Sequence, residues 1–287
     1  MEEYYFLFLL AGVFTLFASV QDLKSREVAN WLNFSFIAFA LSYRAFYSYF
    51  SKDYMFFVFG LLGIGIFFLL ANAFYYTKVF AGGDAKLLMG FGIILPFESY
   101  FSLALLSILF VLLLFTVGAV YSIIYSGFLA VKNSKGFRKE FLIKFKKDKK
   151  LFLVSLALII VLLVESIISN FDIRLWGIFS LFLLLIPGLY IYLKALENSC
   201  LIRLVDPGKL TEGDWLEKDV FLHGRKISKS VHGLNMTEIK MLQKAKKKVW
   251  VRYGIPFVPV FFFSLIIMVF FLISLKLDPM NFFSYLS

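Results

Sequence analysis

Cysteine, histidine and charge are all scarce in this chain of 287 residues, which holds one cysteine and two histidines. The single cysteine, Cys200, excludes an intrachain disulfide framework and a zinc ribbon built on C-x-x-C pairs. Charged residues make up 17% of the chain, whereas a soluble domain carries about 25%. Hydrophobic residues make up 61%, and phenylalanine alone fills 38 positions. These proportions predict an all-α protein that crosses a membrane several times.

Apolar runs long enough to cross a bilayer recur along the chain. The stretch between residues 85 and 131 is too long for one crossing and contains Pro96 and Glu98, so we divide it into a short helix and a long one. The prediction is about eight transmembrane segments, at residues 4–20, 31–50, 54–77, 85–95, 99–131, 151–168, 175–193 and 254–275. Arg44, in the second segment, is expected to direct its charge outward to the membrane surface.

The hydrophilic region before the last segment carries signals of a different structure. Residues 200–232 mix short apolar runs with the turn signals "DPGK", "EGD" and "HG", which predict a small cytoplasmic β-containing subdomain. Residues 235–250 are predicted to be helical, with Ile239, Leu242, Ala245, Val249 and Trp250 on one apolar side. That basic helix either lies on anionic membrane lipids or forms a platform that helps to dock a substrate.

Lysine and arginine are concentrated in two places, between residues 132 and 150 and between 240 and 252. Cytoplasmic loops carry such an excess, so both regions are predicted to lie on the cytoplasmic side of the cell membrane. Counting segments back from Lys132 puts Asp22 and Asp84 at the same cytoplasmic face. The net charge of +11 is thereby explained as a topology signal, and we expect no nucleic-acid partner.

Asp22 and Asp84 are each open to a simple structural interpretation. Asp84, within "VFAGGDAKLL", could cap the N-terminus of a helix, and Asp22 could be a solvated charge beside Lys24 and Arg26. Two carboxylates at one membrane depth instead favour a catalytic pair, since glycines such as Gly82 and Gly83 let helices approach closely.

A pair of carboxyl groups suits peptide-bond hydrolysis. Held close together, the two groups do not ionise equally, so one can activate a water while the other donates a proton. No Ser–His or Cys–His set competes with them, because His223, His232 and Cys200 lie apart in the hydrophilic region. Neither a metal site nor a cofactor is expected.

Four stretches resemble the type IV prepilin peptidase and archaeal preflagellin (archaellin) peptidase family. "AGGDAKLLMG" is similar to its GxGD box, and "DLKSREVANWLN" to its first aspartate box, in which Asn30 follows Asp22 by eight positions. "YGIPFVPVF" resembles the start of a late helix in these enzymes, and "LTEGDWLEKDV" the soluble segment of archaeal members. Ala81 stands where the box has its first glycine, and Val28-Ala29 where an Ile-Pro pair is expected, but both aspartates are present.

The resemblance implies a GxGD-type aspartyl protease, with Asp22 and Asp84 catalytic, that removes leader peptides from prepilin or preflagellin precursors. Without the four-cysteine motif and methyltransferase half of the bacterial enzymes, no methyltransferase activity is expected. Lys86 could contact substrate, lower the pKa of Asp84 or act only as a topology anchor at the cytoplasmic face. An acidic set could steer a basic leader; its members are Glu212, Asp214, Glu217 and Asp219 in the soluble segment, together with Glu27. The substrate-binding candidates are Gly82, Gly83, Lys86, Asn30, Glu212 and Asp214.

The predicted organisation has five parts: a transmembrane catalytic core at 1–131, a basic cytoplasmic loop at 132–150, a transmembrane hairpin at 151–194, a cytoplasmic subdomain with its basic helix at 195–253, and a last transmembrane segment with tail at 254–287.

Two other functions stay open. One is a di-aspartate protease of the presenilin or signal-peptide-peptidase type, although its proline-alanine-leucine motif is missing. The other is a membrane transporter or scaffold without enzymatic activity.

Overall fold

The structure is a computed structural model that describes residues 2–169, 173–222, 225–230 and 233–274. It forms two compact units, which are considered separately. The first contains the chain up to Ile123 together with the chain from Pro256 onward, and the second contains Ile124–Ile255. The described residues are mostly helical, with a small sheet region in the second unit.

The first unit is built from helices. They are α1 (Glu2–Ser25), α2 (Asn30–Ser51), α3 (Tyr54–Tyr76), α4 (Gly82–Ile94), the first part of α5 (Tyr100–Lys132), and α9 (Val258–Ser274) from the far end of the chain. The breaks fall where the sequence predicts them, at the polar turns after Ser25 and Ser51 and at the Pro96 turn. Asp53 supports the start of α3, because its carboxylate accepts the backbone N–H groups of Met55 and Phe56.

Helix α4 is the most enclosed element of this unit and packs against α1, α2 and α3. Its approach to α3 is so close that a Cβ atom on either Gly63 or Gly92 would overlap the backbone of the other. Its approach to α2 depends on Gly90, where a Cβ atom would overlap the ring of Phe36. Glycine therefore allows α4 to lie within the bundle with its backbone near that of its neighbours.

Among the described residues, four helices are long and apolar enough to cross a membrane: Glu2–Ser25, Tyr54–Tyr76, Tyr100–Lys132 and Trp176–Leu201. A fifth apolar stretch, Val258–Ile273, is shorter. The predicted count of eight spans is therefore not confirmed. The helix α4 has 13 residues, which at about 1.5 Å per residue is too short to cross a bilayer alone.

The second unit begins with the end of α5 and continues through two long helices, α6 (Ser134–Ser169) and α7 (Ile173–Leu196), which pack against each other. Ring contacts support the pairing, since Phe137 of α6 lies 5.4 Å from Tyr192 of α7 between ring centroids. The region expected to be a basic loop at 132–150 is mostly helical. A local break at Asp148 separates it from the apolar remainder of α6.

The sheet region contains β1 (Ile202–Val205), β2 (Trp215–Leu216), β3 (Val220–Leu222), β4 (Arg225–Ile227) and β5 (Val249–Arg252), with α8 (Met236–Lys244) before the last strand. The strand β5 lies between β1 and β2 and is antiparallel to both, while β3 and β4 form a separate antiparallel pair. This confirms the β-containing subdomain that the turn signals predict.

The prediction of a helix at 235–250 is wrong about where the helix ends. The apolar side of the helix does not face lipid. It ends at Lys244, and Val249 and Trp250 belong to β5. The side chains of Ile239 and Leu242 are buried in the core of the subdomain together with Val249 and Val251. Packing against the sheet therefore uses the apolar residues that a membrane-surface helix would have needed.

Candidate active site

Asp22 lies near the end of α1 and is buried, with 6% of its surface exposed. Its Oδ2 atom accepts the backbone N–H of Val258, at 3.0 Å. Val258 is the first residue of α9. The first N–H groups of a helix have no partner within it. The carboxylate thus satisfies one of these groups at the positive end of the helix dipole, across 236 positions of sequence. Asp22 is therefore not the solvated charge that the simple structural interpretation of the sequence allowed.

Asp84 lies in the first turn of α4 and is also buried, at 9% exposure. Its Oδ2 atom accepts the backbone N–H of Ala81, at 3.1 Å. Ala81 is the residue that precedes the helix and has an extended backbone. The carboxylate therefore folds back over the helix start as the acidic member of a capping box does, although Ala81 itself offers no side-chain acceptor.

The two aspartates belong to one site. The helix α1 packs against α4, and the two carboxyl groups interact electrostatically. Asp84 lies on a helix outside the candidate membrane spans, and burial raises the pKa of its carboxyl group. The negative charge of Asp22 raises that pKa further. A carboxyl group whose pKa is raised by burial and by a neighbouring carboxylate is suited to act as a general acid.

The phenylalanine before this turn joins the two helix starts. The ring of Phe80 lies 5.4 Å from that of Phe257 and 6.0 Å from that of Phe261, between centroids. Phe257 directly precedes α9, and Phe80 directly precedes Ala81. The apolar contact therefore holds the N–H groups that bind Asp22 beside the turn that carries Asp84.

The predicted substrate-binding glycines lie at the same turn. A Cβ atom on Gly83 would be 3.5 Å from the Cβ of Val28, in the link between α1 and α2, and one on Gly82 would meet only the ring of Tyr75, at 3.8 Å. Neither position is therefore sterically closed to a side chain. The buried Asn33 of α2, which sequence reasoning missed, has its Nδ2 atom 3.5 Å from the Gly83 carbonyl oxygen.

Lys86 and Asn30 are brought into direct contact. The Lys86 ammonium donates to Oδ1 of Asn30, at 2.6 Å, and Asn30 is the first residue of α2. This hydrogen bond joins the first residue of α2 to the fifth residue of α4. This contact does not decide among the roles that the sequence leaves open for Lys86.

The acidic candidates Glu212 and Asp214 belong to the second unit. The Asp214 carboxylate accepts the backbone N–H of Thr211, at 2.9 Å, and burial raises its pKa. The two acidic residues that follow are also engaged, because Glu217 pairs with Arg252 and Asp219 with Lys226. Glu212 is exposed, so it is the acidic side chain of this set best placed to meet a partner.

No group of three or more histidine, cysteine or acidic side chains that could hold a metal ion occurs within the described residues. His223 and His232 lie outside the part of the chain that the structure describes. Cys200 is buried and its thiol lies 3.5 Å from the Leu129 carbonyl oxygen.

The buried carboxyl groups of Asp22 and Asp84, on the packed helices α1 and α4, form the candidate active site. Residues 9–123 match the sequence model of the type IV leader peptidase family. The preflagellin peptidase of Methanocaldococcus jannaschii is 34% identical over 89 residues, covering 31% of this chain and 38% of the relative. The preflagellin peptidase of Methanococcus voltae is 32% identical over 128 residues, covering 41% of this chain and 54% of the relative.

The matched region contains Asp22, Asp84 and the helices α2 to α4, whereas α6, α7 and the sheet subdomain lie beyond it. The chain therefore spans about half or less of the length of these curated relatives. No solved structure matches the chain significantly.

Proposed function

We propose that the protein is a membrane aspartyl endopeptidase that removes a short basic leader peptide from prepilin-like or preflagellin precursors at the cytoplasmic face of the cell membrane. The observation that carries the proposal is the buried, electrostatically coupled pair of Asp22 and Asp84. Both residues lie inside the region that matches the leader peptidase family. The preflagellin substrate class is suggested by the names of the relatives.

The pair supports hydrolysis by general acid–base catalysis. The ionised carboxylate removes a proton from a water, whose oxygen attacks the scissile carbonyl carbon. The protonated carboxyl donates a hydrogen bond to the developing oxyanion. When the C–N bond breaks, a proton passes to the leaving amine, giving a leader with a free carboxylate and a mature chain with a free amine. The proton belongs to the pair.

The position of the pair fits a cut at the boundary between a leader and an apolar helix. Asp84 begins α4 and Asp22 lies within one turn of the end of α1, so both are near helix ends rather than in mid-span. A peptide bond must be extended to be attacked, and a small residue before the bond lowers the cost of that conformation. We expect cleavage without N-methylation.

The proposal also covers the domain organisation. The first unit supplies the catalytic core, and the second supplies the basic helical region at 132–150, the helices α6 and α7, and the sheet subdomain. Membrane lipids surround the apolar helices, and the basic regions face the cytoplasm.

Co-expression with a candidate preflagellin or prepilin tests the proposal. Asp22→Asn and Asp84→Asn should each abolish conversion of precursor to mature protein on an immunoblot, while both variants accumulate in the membrane. Asp53→Asn is the matched control, because Asp53 caps α3 in the same unit and should retain cleavage. Near-normal processing by either active-site variant would refute the aspartyl mechanism.

A further inference from the structure

A buried arginine lies at the end of α4 opposite Asp84. Arg44 of α2 has no exposed surface, which contradicts the expectation that it directs its charge outward. Its Nε atom donates to the carbonyl oxygen of Ile93, at 2.6 Å, and its Nη2 atom to that of Leu95, at 2.8 Å. Its Nη1 atom donates to the carbonyl of Phe56 in α3.

The end of α4 explains why a cation is buried there. The last carbonyl groups of a helix have no partner within it, and Ile93, Ile94 and Leu95 are completely buried. Because these residues are buried, their carbonyl groups need hydrogen-bond donors from within the protein. The guanidinium group satisfies two of these carbonyls and complements the negative end of the helix dipole.

The surrounding residues are fitted to this guanidinium group. Its central carbon lies 4.5 Å from the ring centroid of Phe56 and 5.3 Å from that of Tyr4, so two aromatic faces accommodate the charge. A Cβ atom on Gly60 would overlap the Arg44 side chain. The side chain is thus held by three backbone acceptors, two rings and a glycine of α3.

Backbone, rather than side chains, forms the closest contact between α3 and α4. At their closest point the two helices meet through Gly63 and Gly92, which have no side chains to interlock. Directional hydrogen bonds from Arg44 to Ile93 and Leu95 hold the helix along its axis instead. A shift of the C-terminal end would move the whole of α4, including Asp84 in its first turn.

We propose that Arg44 is a positioning residue for Asp84: by binding the last carbonyls of α4, it sets the axial position of that helix and so the placement of Asp84 beside Asp22. The catalytic consequence rests on the function proposed above. The positional statement does not, and it can be measured without cleavage.

The rate of disulfide cross-linking between α4 and the link before α2 tests the position of α4. Val28→Cys and Gly83→Cys, in a Cys200→Ser background, place two thiols where the Cβ separation is 3.5 Å, within the range of about 3.5–4.5 Å for disulfides. In membranes treated with a mild oxidant, cross-linking should slow about tenfold or more when Arg44 is replaced by methionine. Arg44→Lys should give an intermediate rate, because lysine keeps the positive charge but lacks the planar guanidinium group with its several N–H donors.

Two further variants separate positioning from loss of stability. Leu114→Ala removes a buried side chain of α5 in the same unit and serves as a control for lost stability. It should leave the cross-linking rate unchanged even where its thermal stability is as low as that of Arg44→Lys. Gly60→Ala keeps Arg44 but displaces its side chain, so it should slow cross-linking even if Arg44→Met fails to accumulate. Unchanged cross-linking in the Gly60→Ala and Arg44→Lys proteins would overturn the proposal.

Kinetics supply the second readout. Arg44→Lys should lower kcat about 10- to 100-fold, as misplacement of about 1 Å does in other enzymes, with KM within about twofold of wild type. The pH range of cleavage should also narrow, because a more distant pair separates its two proton steps less. If cross-linking slows but even the wild type cleaves no precursor, the proposed function fails while the positional inference stands. Slower cross-linking with normal kcat and pH range would refute the catalytic consequence.

Discussion

At the scale of single residues, the structural and catalytic interpretations of the two aspartates are compatible. Asp22 binds the first N–H of α9, and Asp84 binds the N–H of Ala81. Each carboxylate therefore stabilises a helix start, and that same hydrogen bond fixes its position for chemistry. Replacing either with asparagine keeps an acceptor oxygen for the N–H group, so the fold should tolerate the change better than the reaction does.

The first prediction is that the aspartates act as one unit. If they share a proton, Asp22→Asn or Asp84→Asn alone should reduce kcat/KM nearly as much as the double substitution, because groups that act together are strongly non-additive. Single-turnover cleavage of a purified precursor in detergent would measure the three values. Additive losses would show that the two carboxyl groups contribute independently.

The second prediction concerns steering of a basic leader by Glu212. Asp214, Glu217 and Asp219 are held by partners within the second unit, so charge reversal there would disturb the subdomain as well. Glu212→Lys should raise KM for a basic-leader substrate a few-fold at low salt, and less at high salt, because exposed charges are screened. Glu212→Gln should have a smaller effect. Equal KM values at low salt would remove the steering role.

Residue patterns predict the two aspartates but not their partners. The motifs around Asp22 and Asp84 are local signals, because each consists of a few neighbouring residues. The N–H that binds Asp22 lies 236 positions away, and no local pattern indicates which helix start it serves. Arg44 is misjudged for the same reason, because its acceptors at Ile93 and Leu95 come together only in the folded bundle.

At the scale of elements, the short helix α4 determines the architecture of the first unit. Pro96 and Glu98 correctly predict that the apolar stretch divides there, so α4 ends at Ile94 and α5 begins at Tyr100. Its burial on several sides follows from glycines, at Gly90 and Gly92, that look like weak helix formers in sequence alone. The end of α8 is mispredicted because β-pairing with β1 and β2 overrides the helical pattern of Val249 and Trp250.

The third prediction tests the glycine contact between α3 and α4. Gly63→Ala should destabilise the protein by about 1–3 kcal/mol, since the new methyl group meets the backbone of Gly92 and the helices must separate. Gly65→Ala is the matched control on the same helix, because a Cβ atom there meets nothing within 4 Å. It should be neutral or stabilising. Thermal unfolding in detergent would compare the two, and equal midpoints would argue against a tight contact.

At the scale of the whole molecule, the family match covers only part of the chain, whereas candidate membrane spans lie both inside and beyond the matched region. The leader peptidase match ends at residue 123, which is also where the first unit ends before it resumes at Pro256. Composition predicts membrane helices throughout, yet it does not predict how many cross. The reason is that buried polar groups such as Arg44 and partial helices such as α4 are made possible by packing, which hydropathy does not register.

The last prediction is the orientation of the chain in the membrane. The basic regions at 132–150 and 240–252 should lie in the cytoplasm, and the turn between α2 and α3 should lie outside. In a Cys200→Ser background, Ser51→Cys should react with an impermeant maleimide added to intact cells, whereas Lys135→Cys should react only after permeabilisation. Both positions are exposed, so burial does not explain a difference. Labelling of Lys135→Cys from outside would reverse the orientation and place the aspartate pair on the wrong face for a cytoplasmic leader.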